Sequence, residues 1–449
     1  MDDPEILWSL ILTALQNYGK RQMKYPLKFL NYLMLLGFLA IVRICHWLLV
    51  IWLLLLWPPA EVQGQQFEFR GKRKQQTMNF QLIKNLIVIP VYINDKGPFN
   101  FILDTGVSPL LITDPSILDT LDFSQLRPMK ISGLGQGEMI EAYSSNTIDV
   151  SVGASRMDNV PTAILKSDIF NLSNFLGIHV HGLIGYYFLN SFVVHVDYFS
   201  HTMKFYRHEL KRKIKGFAVP MEMILNKPYL HLSVMAPNVG LFNARLLMDS
   251  GASFALSLES LAGQKFPLPD SNITANLGMG FGGLISGHIG RVHNLSIGRV
   301  TLSDVLTNYP DYADGAAKVM STGRNGSIGA ELLRRFHITY DYRNSVVYLK
   351  PNSALKNAFD HDMSGMEVYM EEGKSNRFFI ERIEENSPAE KQGIRPGTEL
   401  LEINFKSVTS LDLQTIVQLL KAGDGKNVVL KLFQNDEIVY KVLTLKKRI

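Results

Sequence analysis

The chain of 449 residues is long enough for about three domains of ordinary size. Hydrophobic residues make up 46% of it and charged residues 19%, which is typical of a protein with buried cores. The formal net charge of +5 is small for this length, and the basic clusters at 70–74 and 211–215 are typical of solvated linkers. Neither a nucleic-acid partner nor an anionic-lipid patch is therefore predicted.

An apolar segment near the N-terminus predicts export. Residues from Phe29 to Trp57 are almost wholly apolar, and Arg43 precedes the most apolar part. Residues 62–64 are of the size that a signal peptidase accepts, so 1–64 is interpreted as a cleaved signal peptide. The alternative is a retained membrane anchor, because the segment is long enough to span a bilayer. Both interpretations place the rest of the chain outside the cytoplasm, with 65–84 as a linker or short pro-segment.

Cys45 is the only cysteine, and it lies within this apolar segment. The exported part therefore has neither thiols nor disulfides and must be stable through its hydrophobic cores alone. Thiol catalysis and a cysteine-ligated metal are excluded for that part.

The middle of the chain contains an internal repeat, roughly 86–206 and 229–349. In each copy an apolar run ends in an acid, a hydroxyl residue and a glycine: Asp104-Thr105-Gly106 in the first, Asp249-Ser250-Gly251 in the second. Each motif is followed by a glycine-rich segment, at 133–137 and 278–283, and then by an Ile-Gly pair, at 184–185 and 328–329. Because these motifs recur at nearly the same spacing over about 80 residues in each copy, the sequence predicts two copies of one lobe.

Short runs of β-branched and aromatic residues lie between Gly, Asn and Asp turns throughout both copies, whereas helical periodicity is brief. We therefore expect a mainly β fold in which each lobe is a small, partly closed β-barrel. The expected boundaries are 85–210 for lobe 1 and 211–350 for lobe 2.

One acid on each of two duplicated lobes suggests a site at the seam, where Asp104 and Asp249 face each other. Two carboxyl groups about 3 Å apart share one proton, because both cannot be ionised. The ionised member can take a proton from a water molecule, and the protonated member can donate to a peptide carbonyl. Thr105 and Ser250 can hydrogen-bond across to the opposite backbone, while Gly106 and Gly251 allow the two loops to approach. This chemistry needs no metal and no cofactor.

The paired motifs resemble those of the pepsin and retropepsin family of aspartic proteases. The resemblance extends over both copies of the repeat and implies that two glycine-rich hairpins act as flaps over a peptide substrate. Two flaps resemble a fused retropepsin dimer, so a monomer is expected to suffice for catalysis. The flap residues implied by the resemblance are Gly133, Leu134 and Gly135 in lobe 1 and Gly280, Phe281 and Gly282 in lobe 2.

The sequence departs from the pepsin pattern directly after each motif. Pepsin-like enzymes carry Ser or Thr there, whose hydroxyl helps to hold the catalytic carboxylate ionised, whereas this chain has Val107 and Ala252. Losing a donor to the charged form raises the pKa values of a carboxyl pair. A milder pH optimum than that of pepsin is therefore predicted.

Two other patterns do not support a function of their own. Gly278, Gly280 and Gly283 fit a dinucleotide-binding fingerprint, but no helix pattern follows them, so they are interpreted as part of the second flap. His179 and His181 would face the same side of a strand, yet no third ligand is evident nearby in the sequence. No metal site is therefore predicted.

After a linker at 351–364, residues 365–449 resemble a bacterial-type PDZ domain of α+β fold. The resemblance is carried by Ser387-Pro388-Ala389, Gly393-Ile394, Pro396-Gly397 and Leu401-Glu402-Ile403-Asn404, in that order. It implies that a peptide adds as a strand between the second helix and an exposed sheet edge. The groove is expected near Arg377, Phe378, Phe379 and Ile380, where the usual glycine is absent. The alternative is a docking or spacer domain packed against the protease.

Taken together, the sequence predicts an exported aspartic endopeptidase that acts on peptides or proteins, with a PDZ-like domain for a substrate or partner peptide. The PDZ resemblance and the lack of disulfides favour a bacterial periplasm or cell envelope, with membrane attachment through the N-terminal segment as an alternative. The competing hypothesis is a non-catalytic exported scaffold in which the lobes support peptide binding by the C-terminal domain.

Overall fold

The computed structural model describes residues 9, 13, 26–55, 65–120, 125–131, 139–210, 212–280, 283–311, 322–371 and 377–449. Two compact units are present, Met1–Gly64 and Gln65–Ile449. The first contains helix α1 (Pro26–Leu55), on which large apolar side chains such as Trp47 and Trp52 are exposed. Within the described residues, no helix is both long and apolar enough to cross a membrane.

Lobe 1 is built mainly of strands. In chain order they are β1 (Glu68–Phe69), β2 (Gln75–Asn79), β3 (Gln81–Ile83), β4 (Leu86–Ile93), β5 (Lys96–Leu103), β6 (Leu110–Ile112), β7 (Arg127–Ile131), β8 (Ile140–Val152), β9 (Ser155–Leu165), β10 (Gly182–Ile184), β11 (Val193–Asp197) and β12 (Thr202–Tyr206). Its helices are α2 (Ile117–Thr120), α3 (Leu172–Leu176) and α4 (Tyr186–Ser191).

Lobe 2 repeats this arrangement. Its strands are β13 (Phe217–Pro220), β14 (Glu222–Ile224), β15 (Lys227–Ala236), β16 (Gly240–Met248), β17 (Leu256–Leu258), β18 (Ser260–Leu261), β19 (Gln264–Lys265), β20 (Ile273–Gly280), β21 (Gly283–Ile297), β22 (Val300–Pro310), β23 (Gly326–Ile328), β24 (Phe336–Asp341) and β25 (Val346–Pro351). Helix α5 (Ala330–Leu333) follows β23, and a 3-10 turn spans Ser353–Lys356.

The strand pairings close into a ring in each lobe. In lobe 1 the order β9-β6-β10-β5-β4-β8 is closed by pairing of β8 with β9. In lobe 2 the order β15-β16-β23-β17-β22-β21 is closed by pairing of β21 with β15. In both rings the strand that leads to the aspartate, β5 or β16, runs parallel to a short strand, β10 or β23. The repeat in the sequence is thus a repeat in topology.

A further sheet joins the two lobes, in the order β13-β25-β24-β11-β12-β2. The junction is the antiparallel pair β11–β24, in which Val194 lies opposite Tyr340. One hydrophobic core runs through both lobes and includes Leu103 and Met248, the residues directly before the two aspartates. The loops that carry the aspartates therefore start from buried, fixed positions.

Residues expected to form linkers belong to the folded core instead. Strand β2 pairs with β12 along its whole length, and Phe67, Phe69 and Phe80 are buried. The expectation of a linker at 65–84 is therefore wrong for most of that stretch, whereas a short pro-segment stays a prediction. The linker expected at 351–364 is also packed, because Phe359 is buried and the Arg335 guanidinium lies 3.5 Å from the centre of its ring.

The C-terminal domain has its own sheet and its own core. Its elements are β26 (Met366–Glu371), β27 (Arg377–Ile383), α6 (Pro388–Lys391), β28 (Glu399–Ile403), β29 (Lys406–Ser407), a 3-10 turn (Val408–Ser410), α7 (Leu413–Leu420), β30 (Asn427–Gln434) and β31 (Glu437–Thr444). The sheet order is β26-β27-β28-β30-β31, with β29 beside β28. Phe378, Ile416 and Leu430 are fully buried between the sheet and α7. The mainly β fold expected from the sequence is confirmed.

Candidate active site

The two aspartates occupy equivalent places at the ends of their strands. The Asp104 N–H donates to the Ile184 carbonyl oxygen at 2.9 Å, and the Asp249 N–H donates to the Ile328 carbonyl oxygen at the same distance. The short strands β10 and β23 thus fix the backbone of each aspartate. A β-carbon at Gly185 would lie 2.1 Å from the Asp104 carbonyl oxygen, and one at Gly329 would lie 2.3 Å from the Phe254 carbonyl oxygen, which explains why a glycine follows each of these isoleucines.

Thr105 and Ser250 join the two loops by reciprocal hydrogen bonds. The Thr105 hydroxyl donates to the Met248 carbonyl at 2.5 Å and accepts from the Ser250 N–H at 2.9 Å. The Ser250 hydroxyl donates to the Leu103 carbonyl at 2.8 Å and accepts from the Thr105 N–H at 3.0 Å. Both side chains are buried, so these bonds also satisfy backbone groups that water does not reach.

The glycines of the motifs lie against the carboxyl groups. Each donates its N–H to the aspartate of its own lobe, Gly106 to Asp104 at 2.6 Å and Gly251 to Asp249 at 3.1 Å. A β-carbon at Gly251 would lie 2.4 Å from the Asp104 carboxyl carbon, and one at Gly106 would lie 3.2 Å from that of Asp249. Any larger residue at 251 would push the Asp104 carboxyl away. The two glycines therefore allow the two carboxyl groups to meet.

The surroundings of Asp104 favour its protonated form. Burial, and then the charge of the neighbouring Asp249 carboxylate, raise the pKa of Asp104 to about 7. The Gly106 N–H and the Lys227 ammonium act in the opposite direction. Asp104 is 8% exposed, so the proton that it holds is shielded from bulk water.

Several neighbours of the pair were not identified from the sequence. Lys227 opens β15 and carries the charge that opposes protonation of Asp104. Tyr342 is buried, and its pKa is raised first by burial and then by the charges of the two aspartates. Arg324 forms a buried bidentate ion pair with Glu259, at 2.8 and 2.9 Å. Neither a motif nor a repeated spacing marks Lys227 or Arg324, whereas Tyr342 lies at the position in the second copy that Tyr198 has in the first.

Two asparagines connect the lobes beside the aspartate loops. The Asn85 side-chain amide donates to the Ser253 carbonyl at 3.1 Å, and that of Asn226 donates to the Ser108 hydroxyl at 3.1 Å. Ser108 and Ser253 occupy the same place after their aspartates, so the two contacts are equivalent in the repeat. The aspartate loops are therefore held from the opposite lobe on both sides.

Family comparisons agree with this geometry. Residues 89–188 match the family model described as aspartyl protease, and residues 379–432 match the model described as PDZ domain. Both resemblances are confirmed. The aspartyl protease match contains the Asp104 motif but ends before lobe 2, so the assignment of Asp249 depends on the repeat and on its contacts with Asp104. No curated protein matches the chain.

The hairpins expected to be flaps are present in both lobes up to their tips. In lobe 1 the strands β7 and β8 pair from Arg127 opposite Ser144 to Ile131 opposite Ile140. Gly133, Leu134 and Gly135 lie outside the described residues. In lobe 2, Gly280 pairs with Gly283 at the end of β20, and Phe281 and Gly282 lie outside the described residues. The role of these residues as flaps stays a prediction.

The groove of the PDZ domain is not where the sequence indicated. Arg377, Phe378, Phe379 and Ile380 belong to β27, which pairs with β26 on one side and with β28 on the other. At Phe378 and Phe379 both edges of β27 are paired, and Phe378 and Ile380 point into the core. The edge strand is β26, which lies beside α7. Since a PDZ ligand adds between the second helix and an exposed edge, the PDZ match predicts a groove between β26 and α7.

This placement also corrects the expectation about the glycine of the carboxylate-binding loop. The loop before β26 contains Gly365, with φ 76°. The N–H groups of Ser364 and Gly365 both donate to the Asp362 carboxylate, at 2.9 and 2.7 Å. A carboxylate of the chain itself therefore occupies amides that a peptide C-terminus would need.

The structure supplies a third group beside the two histidines considered as metal ligands. Asp114, His179 and His181 place one ligand atom each within 4.8 Å of one another. The His179 Nε2 and Asp114 Oδ2 atoms are hydrogen-bonded at 2.7 Å, however, and the His181 Nδ1 accepts from the Asn100 N–H at 3.2 Å. Neutral His181 then carries its proton on Nε2. A metal ion would have to displace both bonds, so this cluster is interpreted as a hydrogen-bonded one.

Proposed function

We propose that the protein is an aspartic endopeptidase in which Asp104 and Asp249 act as one catalytic pair. The observation that carries this proposal is the contact of each carboxyl group with the glycine of the opposite lobe, combined with the raised pKa of Asp104. Two carboxyl groups brought together in a buried site hold one proton between them. Because such a pair titrates as a unit, the shared proton belongs to the pair.

Peptide hydrolysis by this pair would proceed without a covalent intermediate. A water molecule between the carboxyl groups would lose a proton to the ionised one while its oxygen attacks the peptide carbonyl carbon. The protonated carboxyl would give its proton to the carbonyl oxygen, which yields a tetrahedral diol. Proton transfer to the amide nitrogen would then accompany cleavage of the C–N bond. The hydrogen bonds of Thr105 and Ser250 would hold the two carboxyl groups in place throughout.

The substrate would be an extended peptide lying along the seam between the lobes, with the β7–β8 and β20–β21 hairpins above it. The aspartyl protease and PDZ matches both imply a peptide or protein as the bound molecule. The single chain carries both lobes of the pair, so we propose that a monomer suffices for catalysis.

The decisive experiment compares the purified protein with its Asp104→Asn and Asp249→Asn variants on a mixed peptide library between pH 4 and 8. We expect internal cleavage by the parent and a loss of at least a thousandfold in each variant, because an amide can neither hold the shared proton nor activate water. Circular dichroism of the variants controls for folding. Absence of cleavage by a folded parent at every pH would instead support the non-catalytic scaffold.

We also propose that the protein acts outside the cytoplasm, in a bacterial periplasm or cell envelope. Support comes from the apolar N-terminal segment and from the lack of cysteine after Cys45. N-terminal sequencing of the protein from fractionated cells would separate a cleaved signal peptide from a retained anchor. Recovery of the intact chain from the cytosolic fraction would contradict export.

A further inference from the structure

The groove of the PDZ domain has two walls, β26 and α7. Among the described residues, strand β26 has a strand partner on one side only, β27. Helix α7 begins after Asp412, whose side chain accepts from the Thr415 N–H, and it directs Leu413 towards the groove. An extended peptide would have to enter between these walls to pair with the free edge of β26.

A segment of lobe 1 already lies between them. Helix α3 packs against β26. It ends at Gly177, whose φ of 72° is a left-handed conformation that favours glycine. A β-carbon at Gly177 would lie 3.2 Å from the Leu413 β-carbon on α7 and 3.8 Å from the Met370 β-carbon on β26. The end of the α3 segment (172–177) therefore touches both walls of the groove.

The neighbouring β3–β4 turn strengthens this contact. The Lys84 N–H donates to the Gln414 side-chain carbonyl on α7 at 2.8 Å. The Lys84 ammonium lies 3.8 Å from the centre of the Phe175 ring of α3, a cation–π contact. Burial lowers the pKa of Lys84 to about 8, Glu367 and Glu381 of the PDZ domain oppose that shift, and Lys421 adds to it. Apolar contacts, a hydrogen bond and charged groups thus all lie where the α3 segment and the β3–β4 turn of lobe 1 meet the PDZ domain.

The loop before β26 is unsuited to a peptide C-terminus. Asp362 accepts from the N–H groups of Ser364 and Gly365 and from the Ser364 hydroxyl, at 2.7 to 2.9 Å. A second carboxylate at this loop would find these donors already paired with Asp362. The groove is therefore adapted to a segment without a free terminus, as α3 is.

From these contacts we propose that the α3 segment of lobe 1 is the resident ligand of the PDZ groove, and that an external peptide binds only by displacing it. The external peptide would be recognised through an internal sequence rather than through a terminal carboxylate. This proposal concerns the PDZ domain and does not require that the aspartate pair be catalytic.

A reversible disulfide tests the proposal in the full chain. The variant Gly177→Cys/Met370→Cys places two sulfurs on β-carbons about 3.8 Å apart, the usual separation in disulfides. Cys45→Ser removes the other thiol, and Asp104→Asn prevents cleavage of the probe. The probe is an immobilised library of random heptapeptides, presented once with a free C-terminus and once amidated.

We expect the reduced protein to bind a subset of peptides, with equal signals for free and amidated ends. The oxidised protein should lose at least tenfold in binding to the same peptides, and reduction should restore it. Equal binding by the two forms, or no peptide bound by the reduced form, would overturn the proposal. The single variant Met370→Cys, treated with the same oxidant, controls for damage to the groove.

A second pair of variants covers the case in which the Gly177→Cys substitution is not tolerated. Gln414→Ala removes the acceptor of the Lys84 N–H, whereas Gln418→Ala alters an exposed glutamine on the same helix. We expect faster amide hydrogen exchange in the Gln414→Ala protein at 82–86 and 172–177 of lobe 1, and unchanged exchange in the Gln418→Ala protein. Identical exchange of these lobe 1 segments in both variants would show that the groove does not hold them.

Discussion

Asp104 combines deep burial with a carboxylate neighbour, and both raise the pKa of its carboxyl group to about 7. In the unfolded chain an aspartate ionises near pH 4. Between these values the folded protein retains a proton that the unfolded chain has lost, so stability must fall as pH rises from about 4 to 7. Asp104→Asn removes this penalty while keeping an acceptor for the Gly106 N–H.

We therefore predict that Asp104→Asn is more stable than the parent at pH 8, by about 2–4 kcal/mol, and that the difference vanishes near pH 4. Urea unfolding at the two pH values measures it. Asp436→Asn, at an exposed turn, serves as the matched control and should change stability by less than about 0.5 kcal/mol at either pH. A destabilised Asp104→Asn protein at pH 8 would mean that folding does not raise the pKa of Asp104.

Lys227 breaks the symmetry of the two lobes. It follows a turn in which Leu225 and Asn226 have positive φ, and the same turn in lobe 1 leads to the buried Leu86. Burial lowers the pKa of Lys227, and the charges of Asp104 and Asp249 oppose that shift. The ammonium therefore supports ionisation of the aspartate pair.

Replacing this charge should shift the pH dependence of cleavage. We predict that Lys227→Met raises the apparent pKa values of the pair by about one unit, so that both limbs of the profile of kcat/KM move to higher pH. Lys227→Arg should keep the parent profile, and Lys391→Met in the PDZ domain provides a distant control. A uniform loss of rate at every pH, without a shift, would assign Lys227 a purely structural role.

At the scale of elements, the strands β1 to β3 are the least expected part of the fold. Their polar sequence indicated a linker, yet Phe69 is 4% exposed and stacks on Phe205 at 5.3 Å. We predict that Phe69→Ala lowers the free energy of unfolding by about 3–5 kcal/mol. Phe199→Ala, at a side chain that is 78% exposed, should cost less than about 0.5 kcal/mol. Equal, small effects of both would restore the interpretation of a dispensable pro-segment.

The errors at this scale have a common physical cause. Strand β2 alternates exposed and half-buried residues, so its sequence lacks the apolar run of a core strand, and its stability comes from pairing with the distant β12. The Phe-rich strand β27 looks like a ligand-binding strand, but only its neighbours β26 and β28 decide that it has no free edge. The local sequence of a strand shows which residues it contains. Whether that strand lies at the edge or in the middle of a sheet depends on partner strands that are far away in the chain.

For the whole molecule, the internal repeat is the feature of the sequence that predicts the two-lobed fold and the aspartate pair. Duplication of the Asp-(Thr/Ser)-Gly motif predicts one carboxyl group per lobe, and the structure places both against the opposite glycines. The spacing could not indicate Lys227 or Arg324, because each occurs in one lobe only. It also could not reveal that the α3 segment lies in the PDZ groove, since that contact joins lobe 1 to a domain that follows lobe 2 in the chain.

The groove contact has a consequence for the aspartate pair. The chain runs from Gly177 directly to β10, whose Ile184 carbonyl accepts the Asp104 N–H. In the structure, where α3 lies in the groove, the hydrogen bonds described around Asp104 and Asp249 are all formed. The state with α3 in the groove (the docked state) is therefore the one in which the aspartate pair is assembled. Release of α3 would remove support from β10 and hence from Asp104. We infer that the PDZ domain supports catalysis while it holds lobe 1.

This inference predicts that Gln414→Ala lowers kcat severalfold with little change in KM, whereas Gln418→Ala leaves both unchanged. In the disulfide variant with Asp104 restored, the oxidised form should cleave peptides at least as fast as the reduced form, because the bond fixes the docked state. Steady-state kinetics with a peptide taken from the cleavage screen measure both. An oxidised form that is inactive and recovers on reduction would make the groove contact inhibitory, and displacement of α3 would then be the activating step.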